Sequence, residues 1–327
     1  ACQPISQRGE RDLKSQWGLS LLLSGLMLVF SSAVLAQQDG EQPQTDTEPA
    51  AEAPASKRFS VTTGLGEWAL ASQYPEQAVW LELEAGSRAL ALFRPEQQVP
   101  ARSAMIVLAN EGQTADEAIV GALRRTLPND GMAVMTLGLR APPDVLRQSR
   151  QSRKVPAPGD GEDGGSEGDN PTGENTSSVM IDVAAPEDLE ALAENYQNSV
   201  GSLLDAAAAA LRDRGYERLL VLGVGWSADY VTEWAAAQDR LAGVIWLAPA
   251  FTPDRMTALT EVLAEGRNWR LLDLHGTSSQ AAARERAAEL ARAEVEQYRR
   301  LPLPMASPPN AADADGIANW VSAWAGQ

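Results

Sequence analysis

Residues 219–230 read LLVLGVGWSADY. An apolar run meets two glycines one residue apart, Gly223 and Gly225, and then a stretch of helical composition. That is a buried strand turning sharply into a helix, and three accounts of the turn compete. One is a nucleophile elbow, G-x-S-x-G, in which a strained turn exposes a Ser beside backbone N–H donors. With Gly223 as its first glycine, the nucleophile position falls on Gly225, which has no side chain; shifted by two residues, it falls on Ser227, with Asp229 where the second glycine belongs. Another is a dinucleotide fingerprint, G-x-G-x-x-A, from Gly223, Gly225 and Ala228, but that motif follows the first strand of a nucleotide-binding unit and this turn comes late in the chain. The third is structural: the glycines let the helix pack tightly on the strand.

Moving outward, the same alternation repeats. Toward the N-terminus, VWLELEA (79–85) and RALALF (88–93) flank a Gly-Ser turn and read as a hairpin. AMIVLA (104–109) and MAVMTLGL (132–139) are continuous apolar runs, as strands buried on both faces require, with a helix expected over 116–127 between them. Helix 186–211 is the clearest of all. Pro186 suits its first turn, and Glu187, Asp188 and Glu190 suit the positive end of its dipole. Leu189, Leu192, Tyr196, Val200, Leu203, Ala207 and Leu211 follow at steps of three or four, and Gly215 is placed to end the helix. Toward the C-terminus come a helix over 228–238, strand 241–248, helix 254–264, strand 269–275 and a charge-laced helix over 280–298. A last helix carries Ile317, Trp320, Val321 and Trp324 as its apolar stripe. A hairpin followed by alternating strands and helices implies a mostly parallel sheet with helices on both faces, with sites at the carboxyl ends of the strands.

Outside this pattern lie three segments. Residues 1–36 read as a secretory signal: a basic start (Arg8, Arg11, Lys14), an apolar run over 19–30, and small side chains Val34 and Ala36 before the expected cleavage point. As a helix the run spans about 18 Å, short of a hydrocarbon core of about 30 Å, so no stable membrane insertion is expected after cleavage. Residues 37–58 form a polar, acidic tail with too little apolar surface to offset the entropy of ordering it. Residues 147–178 begin with Arg147, Arg150, Arg153 and Lys154 and continue as GDGEDGGSEGDNPTGENTSS, which reads as a disordered insertion. A calcium loop fails there, because Gly164 and Pro171 occupy positions that need ligands. The remainder, 59–327 less the insertion, suits one α/β domain.

Composition excludes several chemistries. The chain has 327 residues, with 27 Lys+Arg against 44 Asp+Glu and a formal charge of −17. A nucleic-acid partner calls for a basic face, which this balance does not favour. One Cys (Cys2) and one His (His275) cannot build a zinc or iron–sulfur site, and no cofactor is expected. A serine triad must run through His275 or not at all. Lys occurs only at 14, 57 and 154, which argues against a Ser–Lys dyad. Acids at strand ends that could serve as a carboxylate pair are Glu111, Asp229 and Asp254.

The order of elements resembles the α/β-hydrolase fold. More closely, the chain is similar to an uncharacterised family of exported Gram-negative proteins with that fold. The matching stretches are LASQYPEQAVWLELEAGSRALALFRPE (70–96), LPNDGMAVMTLGLRAPP (127–143) with the insertion after it, RGYERLLVLGVGWSA (214–228) and NWRLLDLHG (268–276). The resemblance implies an α/β-hydrolase-like fold and a periplasmic location. The hydrolase triad is degraded at each place it implies. Gly225 stands at the nucleophile position. Ser279 stands at the acid position of an H-G-x-x-D pattern that here reads His275-Gly276-Thr277-Ser278-Ser279. Residues 307–315, before the last helix, contain no His. The expectation is a protein without a working triad that binds a small ligand or an envelope partner. The alternative is an esterase-like serine hydrolase using Ser227 with His275. A third class, an interaction protein working through its acidic tail and insertion, needs no cleft.

Overall fold

The carboxyl ends of six parallel strands face one edge of an eight-stranded sheet. The computed structural model describes residues 65–83, 86–101, 103–152, 186–266 and 269–327. The elements run α1 (Glu67–Gln73), β1 (Ala78–Glu82), β2 (Arg88–Arg94), β3 (Ser103–Glu111), α2 (Ala118–Thr126), β4 (Met132–Leu139), α3 (Asp144–Ser152), α4 (Pro186–Arg212), β5 (Leu219–Val224), α5 (Ser227–Ala236), β6 (Gly243–Leu247), α6 (Pro253–Ala264), β7 (Arg270–Gly276), α7 (Gln280–Arg292), β8 (Tyr298–Leu303) and α8 (Ala314–Ala325). Strand order is β1-β2-β4-β3-β5-β6-β7-β8. β2 runs antiparallel to both β1 and β4, and all other pairs are parallel. This is the α/β-hydrolase-like architecture expected from the sequence. The order reverses between β3 and β5, since the chain builds outward to β4 on one side and to β6 on the other. Such a switch point opens a crevice beyond the strand ends.

Alternation along the central strands feeds two cores. Ala104, Ile106 and Leu108 of β3 face a layer built from α4, α5, α6 and α7, with Val200, Leu204, Val231 and Leu290 buried in it. Met105, Val107 and Ala109 face the other layer, where α2 and α8 contribute Ile119, Leu123, Ile317 and Val321. All six residues of β5 are buried, which is why its sequence is apolar on both faces. Each Leu or Val so buried stabilises the fold by about 1.5–3 kcal/mol.

Helix ends follow their local chemistry. Thr252 caps α6, its side chain accepting the Arg255 backbone N–H, and Pro253 fills the first position. Gly215 takes φ +89° in the turn that follows α4.

The structure departs from the sequence reading at four places. β8 was not expected: the helix read as running to Tyr298 stops at Arg292, and a strand that begins at Tyr298 pairs in parallel with β7. β8 is a sheet edge with Arg299 and Arg300 exposed and Pro302 in its run, so it lacks the apolar signature of the central strands. α1 was not expected. α3 extends through Ser152, so residues 147–152 are helical rather than the start of the insertion. Burial of Leu146 and the ion pair of Arg150 with Glu111 hold that helix to the body. Trp320 is 45% exposed, so the C-terminal stripe consists of Ile317, Val321 and Trp324. The expected signal 1–36, tail 37–58 and residues 153–178 of the insertion lie outside the described residues. Among the described residues no helix is long and apolar enough to cross a membrane.

Candidate functional site: a filled elbow beneath a charged cleft

Gly223 and Gly225 do different jobs in the turn after β5. A Cβ on Gly223 would lie 2.7 Å from the Ser227 carbonyl oxygen and 2.8 Å from the Ala228 nitrogen, so this glycine lets α5 pack its backbone onto the strand. Gly225 has φ +61°, a conformation that side-chain-bearing residues rarely adopt and that a nucleophile elbow imposes as strain. The turn therefore keeps the shape of an elbow with no side chain at its apex.

The space at the apex is filled from β3. A Cβ on Gly225 would meet Asn110 Oδ1 at 2.7 Å and Asn110 Cγ at 2.9 Å. Asn110 Oδ1 also accepts the backbone N–H of Trp226 at 3.0 Å. In an elbow, the N–H of the residue after the nucleophile is one of the oxyanion donors. Here that donor is engaged by an amide oxygen of the protein itself. The sequence reading did not single out Asn110; its one local signal is that apolar alternation in β3 stops there, at the loop where the second oxyanion donor of an elbow would arise.

Ser227 does not occupy the apex. It is fully buried as the first residue of α5. Its Oγ accepts the Val224 N–H at 2.7 Å and lies 2.9 Å from the Val224 carbonyl and 3.0 Å from that of Leu108. The hydroxyl ties the turn to β5 and β3. His275 is 1% exposed, and among the described residues neither ring nitrogen has a hydrogen-bond partner. A general base needs its nucleophile at about 3 Å, and Ser227 and His275 make no such pair. Asp273 Oδ1 is 3.8 Å from His275 Nδ1, and the carboxylate is held instead by Arg286 at 2.8 Å and by the Tyr298 hydroxyl at 2.9 Å. Burial lowers the His275 pKa, with Asp273 opposing the shift and Arg286 and Arg300 adding to it. Ser279 ends a short 3-10 turn (Thr277–Ser279) and caps α7 without a side-chain bond.

Above the elbow lies a cleft of about 330 Å³ between α3, α4, α5 and the start of α6. Two ion-pair networks form its polar wall. Arg150 of α3 reaches down to Glu111 at 2.7 Å and to the Tyr230 hydroxyl at 2.8 Å, with its guanidinium 5.1 Å from the Trp226 ring centroid. Tyr230 donates to the same Glu111 oxygen at 2.6 Å. Burial, with the negative charge of Glu111, pushes the Tyr230 phenol well above its ordinary value. Burial disfavours the Arg150 charge, but Tyr230 and Glu111 more than compensate, so its pKa rises. In the second network Arg255 makes a forked pair with Asp229, at 2.9 and 2.8 Å, and also contacts Glu233. Burial raises the Glu233 pKa against the pull of Arg255.

Glu111 and Asp229, two of the three acids singled out in the sequence, thus both come to the strand-end edge, each bound by an arginine. Asp254 is exposed in the first turn of α6. Among the described residues no cluster of His, Cys, Asp and Glu could hold a metal ion. Arg150 and Arg255 were not anticipated; nothing local marks them, since Glu111 and Arg150 stand 39 residues apart.

Comparison with known proteins gives a family and a set of distant structures. The family model described as "Protein of unknown function (DUF3530)" matches residues 19–325. No curated protein matches the chain. Similar solved structures include the esterase domain of a Rhodothermus marinus protein, at 14% identity over 76% of this chain and 96% of that one, TM-score 0.47. The dienelactone hydrolase from Anabaena variabilis is 13% identical over 76% of this chain and 94% of its own, TM-score 0.47. Est1E from Butyrivibrio proteoclasticus is 11% identical over 76% and 96%, TM-score 0.46.

Proposed function

The chain belongs to the family of unknown function DUF3530, and on that premise we propose that it is an exported, periplasmic binding protein on a hydrolase-like sheet, without serine-hydrolase activity. One observation carries the reading: Asn110 fills the place of a nucleophile's side chain and engages the Trp226 N–H that would stabilise an oxyanion. Acyl transfer needs an attacking atom and free donors aimed at the developing charge. Asn110 takes the place of both.

Two further observations support it. Ser227 is buried with its hydroxyl engaged by backbone groups, and among the described residues the ring nitrogens of the single histidine have no hydrogen-bond partner. Above the filled elbow the cleft remains, with an apolar wall, two tyrosines and two arginines, the mixture typical of a small-molecule site. Export rests on the signal-like residues 1–36 and would place the cleft in the envelope.

The test is a fluorophosphonate probe for activated serines, applied to the purified protein and to Ser227→Ala, both shown folded by circular dichroism. No labelling of either is expected. Labelling of the wild type that disappears in the variant would make this a hydrolase with an unusual elbow and end the proposal.

A further inference from the structure

We infer that the lateral edge of the sheet at β1 docks a second copy of this chain, β1 against β1 across a twofold axis. No residue of β1 lines the cleft.

The sheet has two lateral edges, and they differ. β8 carries Arg299 and Arg300, both exposed, and Pro302, which are means by which an edge strand discourages a further strand. β1, AVWLE over Ala78–Glu82, has no Lys, Arg or Pro and keeps an unbroken antiparallel register with β2 along its whole length. The direction of its main-chain groups follows from that register. Leu83 N–H donates to the Ser87 carbonyl and Phe93 N–H to the Gln77 carbonyl, so the odd-numbered residues of β1 bond to β2. Bonding alternates along a strand, so the main-chain groups of Ala78, Trp80 and Glu82 point away from β2, out of the lateral edge. The Ala78 N–H donates there to the Tyr74 carbonyl at 2.9 Å.

An aromatic patch lies beside this edge. Trp68 of α1 is 65% exposed, and its ring centroid is 4.9 Å from that of Trp80. The Arg88 guanidinium stacks on both rings, at 5.0 and 4.7 Å from their centroids. The stack holds the indoles in place before any partner arrives, and exposed apolar surface of this kind marks an interaction site.

A second copy fits both features. Antiparallel pairing with Trp80 on the twofold axis is the register that uses every outward-pointing residue: Trp80 faces the Trp80 of the second copy, and Glu82 faces its Ala78. The Trp80 N–H groups and carbonyls bond reciprocally, and each Glu82 N–H donates to an Ala78 carbonyl. Directly opposed residues in such a pair share a face of the sheet with Cα atoms about 5.5 Å apart, so the two Trp80 rings meet and each Trp68 is covered beside them. Glu82 is the one charged residue of β1. With Ala78 opposite it, the two Glu82 stand about 14 Å apart along the strands, beyond the screening length of about 8 Å. A chain of formal charge −17 therefore pairs here without setting the acids of β1 against each other. Each copy spends its one unguarded edge, so the assembly closes at two.

The test is sedimentation of the full chain from about 1 to about 100 μM, beside two variants at exposed positions. Glu82→Pro removes an N–H that points out of the sheet and leaves the bonds to β2 intact. Trp68→Glu replaces the exposed indole with a residue that suits the first turn of a helix. Circular dichroism shows both folded. The wild type is expected to reach twice the mass of one chain, and each variant to raise the dissociation midpoint by about tenfold or more. A wild type that stays at the mass of one chain throughout overturns the inference, whether the edge is then covered by residues 1–64 of the same chain or left to a strand of another protein. A dimer unaffected by Glu82→Pro places the interface elsewhere and overturns it too, as does a mass that climbs past two chains.

Discussion

Asn110 and Gly225 are complementary in shape: the amide of one fills the space that a β-carbon on the other would need. The distance from that β-carbon to Asn110 Oδ1 would be 2.7 Å, and the same oxygen accepts the Trp226 N–H at 3.0 Å. β3 and β5 are neighbours at the point where the sheet order reverses, so the two residues face each other across the crevice where a site on this architecture belongs. The filled elbow is a relation between two strands.

That relation predicts coupled stabilities. Gly225→Ser places a side chain at φ +61° and against the Asn110 amide, and should cost about 1–3 kcal/mol. Asn110→Gly removes the contact and the acceptor of the Trp226 N–H, for about 1 kcal/mol. The double variant should lose less than the sum, because the serine then has room. Urea unfolding of the four proteins gives the coupling directly. Strictly additive losses would mean that Asn110 does not exclude a side chain at 225.

Ser227→Ala is predicted to act on stability. The Oγ accepts a buried N–H from Val224 and lies within reach of the Leu108 and Val224 carbonyls. Its loss leaves a buried donor without that partner, for about 1–3 kcal/mol. Denaturant midpoints read the effect. An unchanged midpoint would show that the hydroxyl does not tie the turn together.

Much of this fold is legible in single stretches of sequence, and the site mostly is not. LLVLGV at 219–224 and AMIVLA at 104–109 are apolar on both faces because helices cover both faces, and that signal is local. β8 is missed because Tyr298–Leu303 is a half-exposed edge carrying two arginines and a proline, following a helix of similar composition. α3 is missed because its hold on the body is Arg150 meeting Glu111 across 39 residues. The glycines announce the turn, but nothing local says that Gly225 is opposed by Asn110, 115 positions earlier. Glu111 and Asp229 are recognisable as strand-end acids; only the structure shows that each is bound by an arginine.

Arg286 tests the buried ion pair behind the sheet. Asp273 is fully buried and accepts from Arg286 Nε and Nη2 and from the Tyr298 hydroxyl. Arg286→Met should destabilise the protein by about 3–5 kcal/mol, because it strands a carboxylate in the core. Adding Asp273→Leu should recover a large part of that loss, since an apolar pair has no charge to strand. Thermal melts of the two variants decide it. A double variant no better than Arg286→Met alone would place the cost in packing rather than in the stranded charge.

The last prediction concerns pH and follows from the chain's only histidine. His275 is buried in β7, and among the described residues neither ring nitrogen has a hydrogen-bond partner, the Asp273 carboxylate standing 3.8 Å from Nδ1. The groups facing it are Asp273 on its own strand, Arg286 from α7 and Arg300 from β8. Burial, reinforced by the two arginines, outweighs the pull of Asp273, so the folded pKa lies below the usual 6.5. In the unfolded chain the imidazole takes up its proton near that usual value. Between the two pKa values the unfolded state therefore binds more protons than the folded state, and stability falls as pH drops below about 6.5. Above that pH both states are neutral and His275 contributes no slope. His275→Phe retains a ring and removes the proton, so the fall in stability between pH 7 and pH 5 should be smaller than in the wild type. Urea midpoints at pH 7, 6 and 5 for both proteins measure the difference. Parallel curves would assign acid sensitivity to the carboxylates, and would mean that the imidazole enters its proton-bound state inside the fold as readily as outside it.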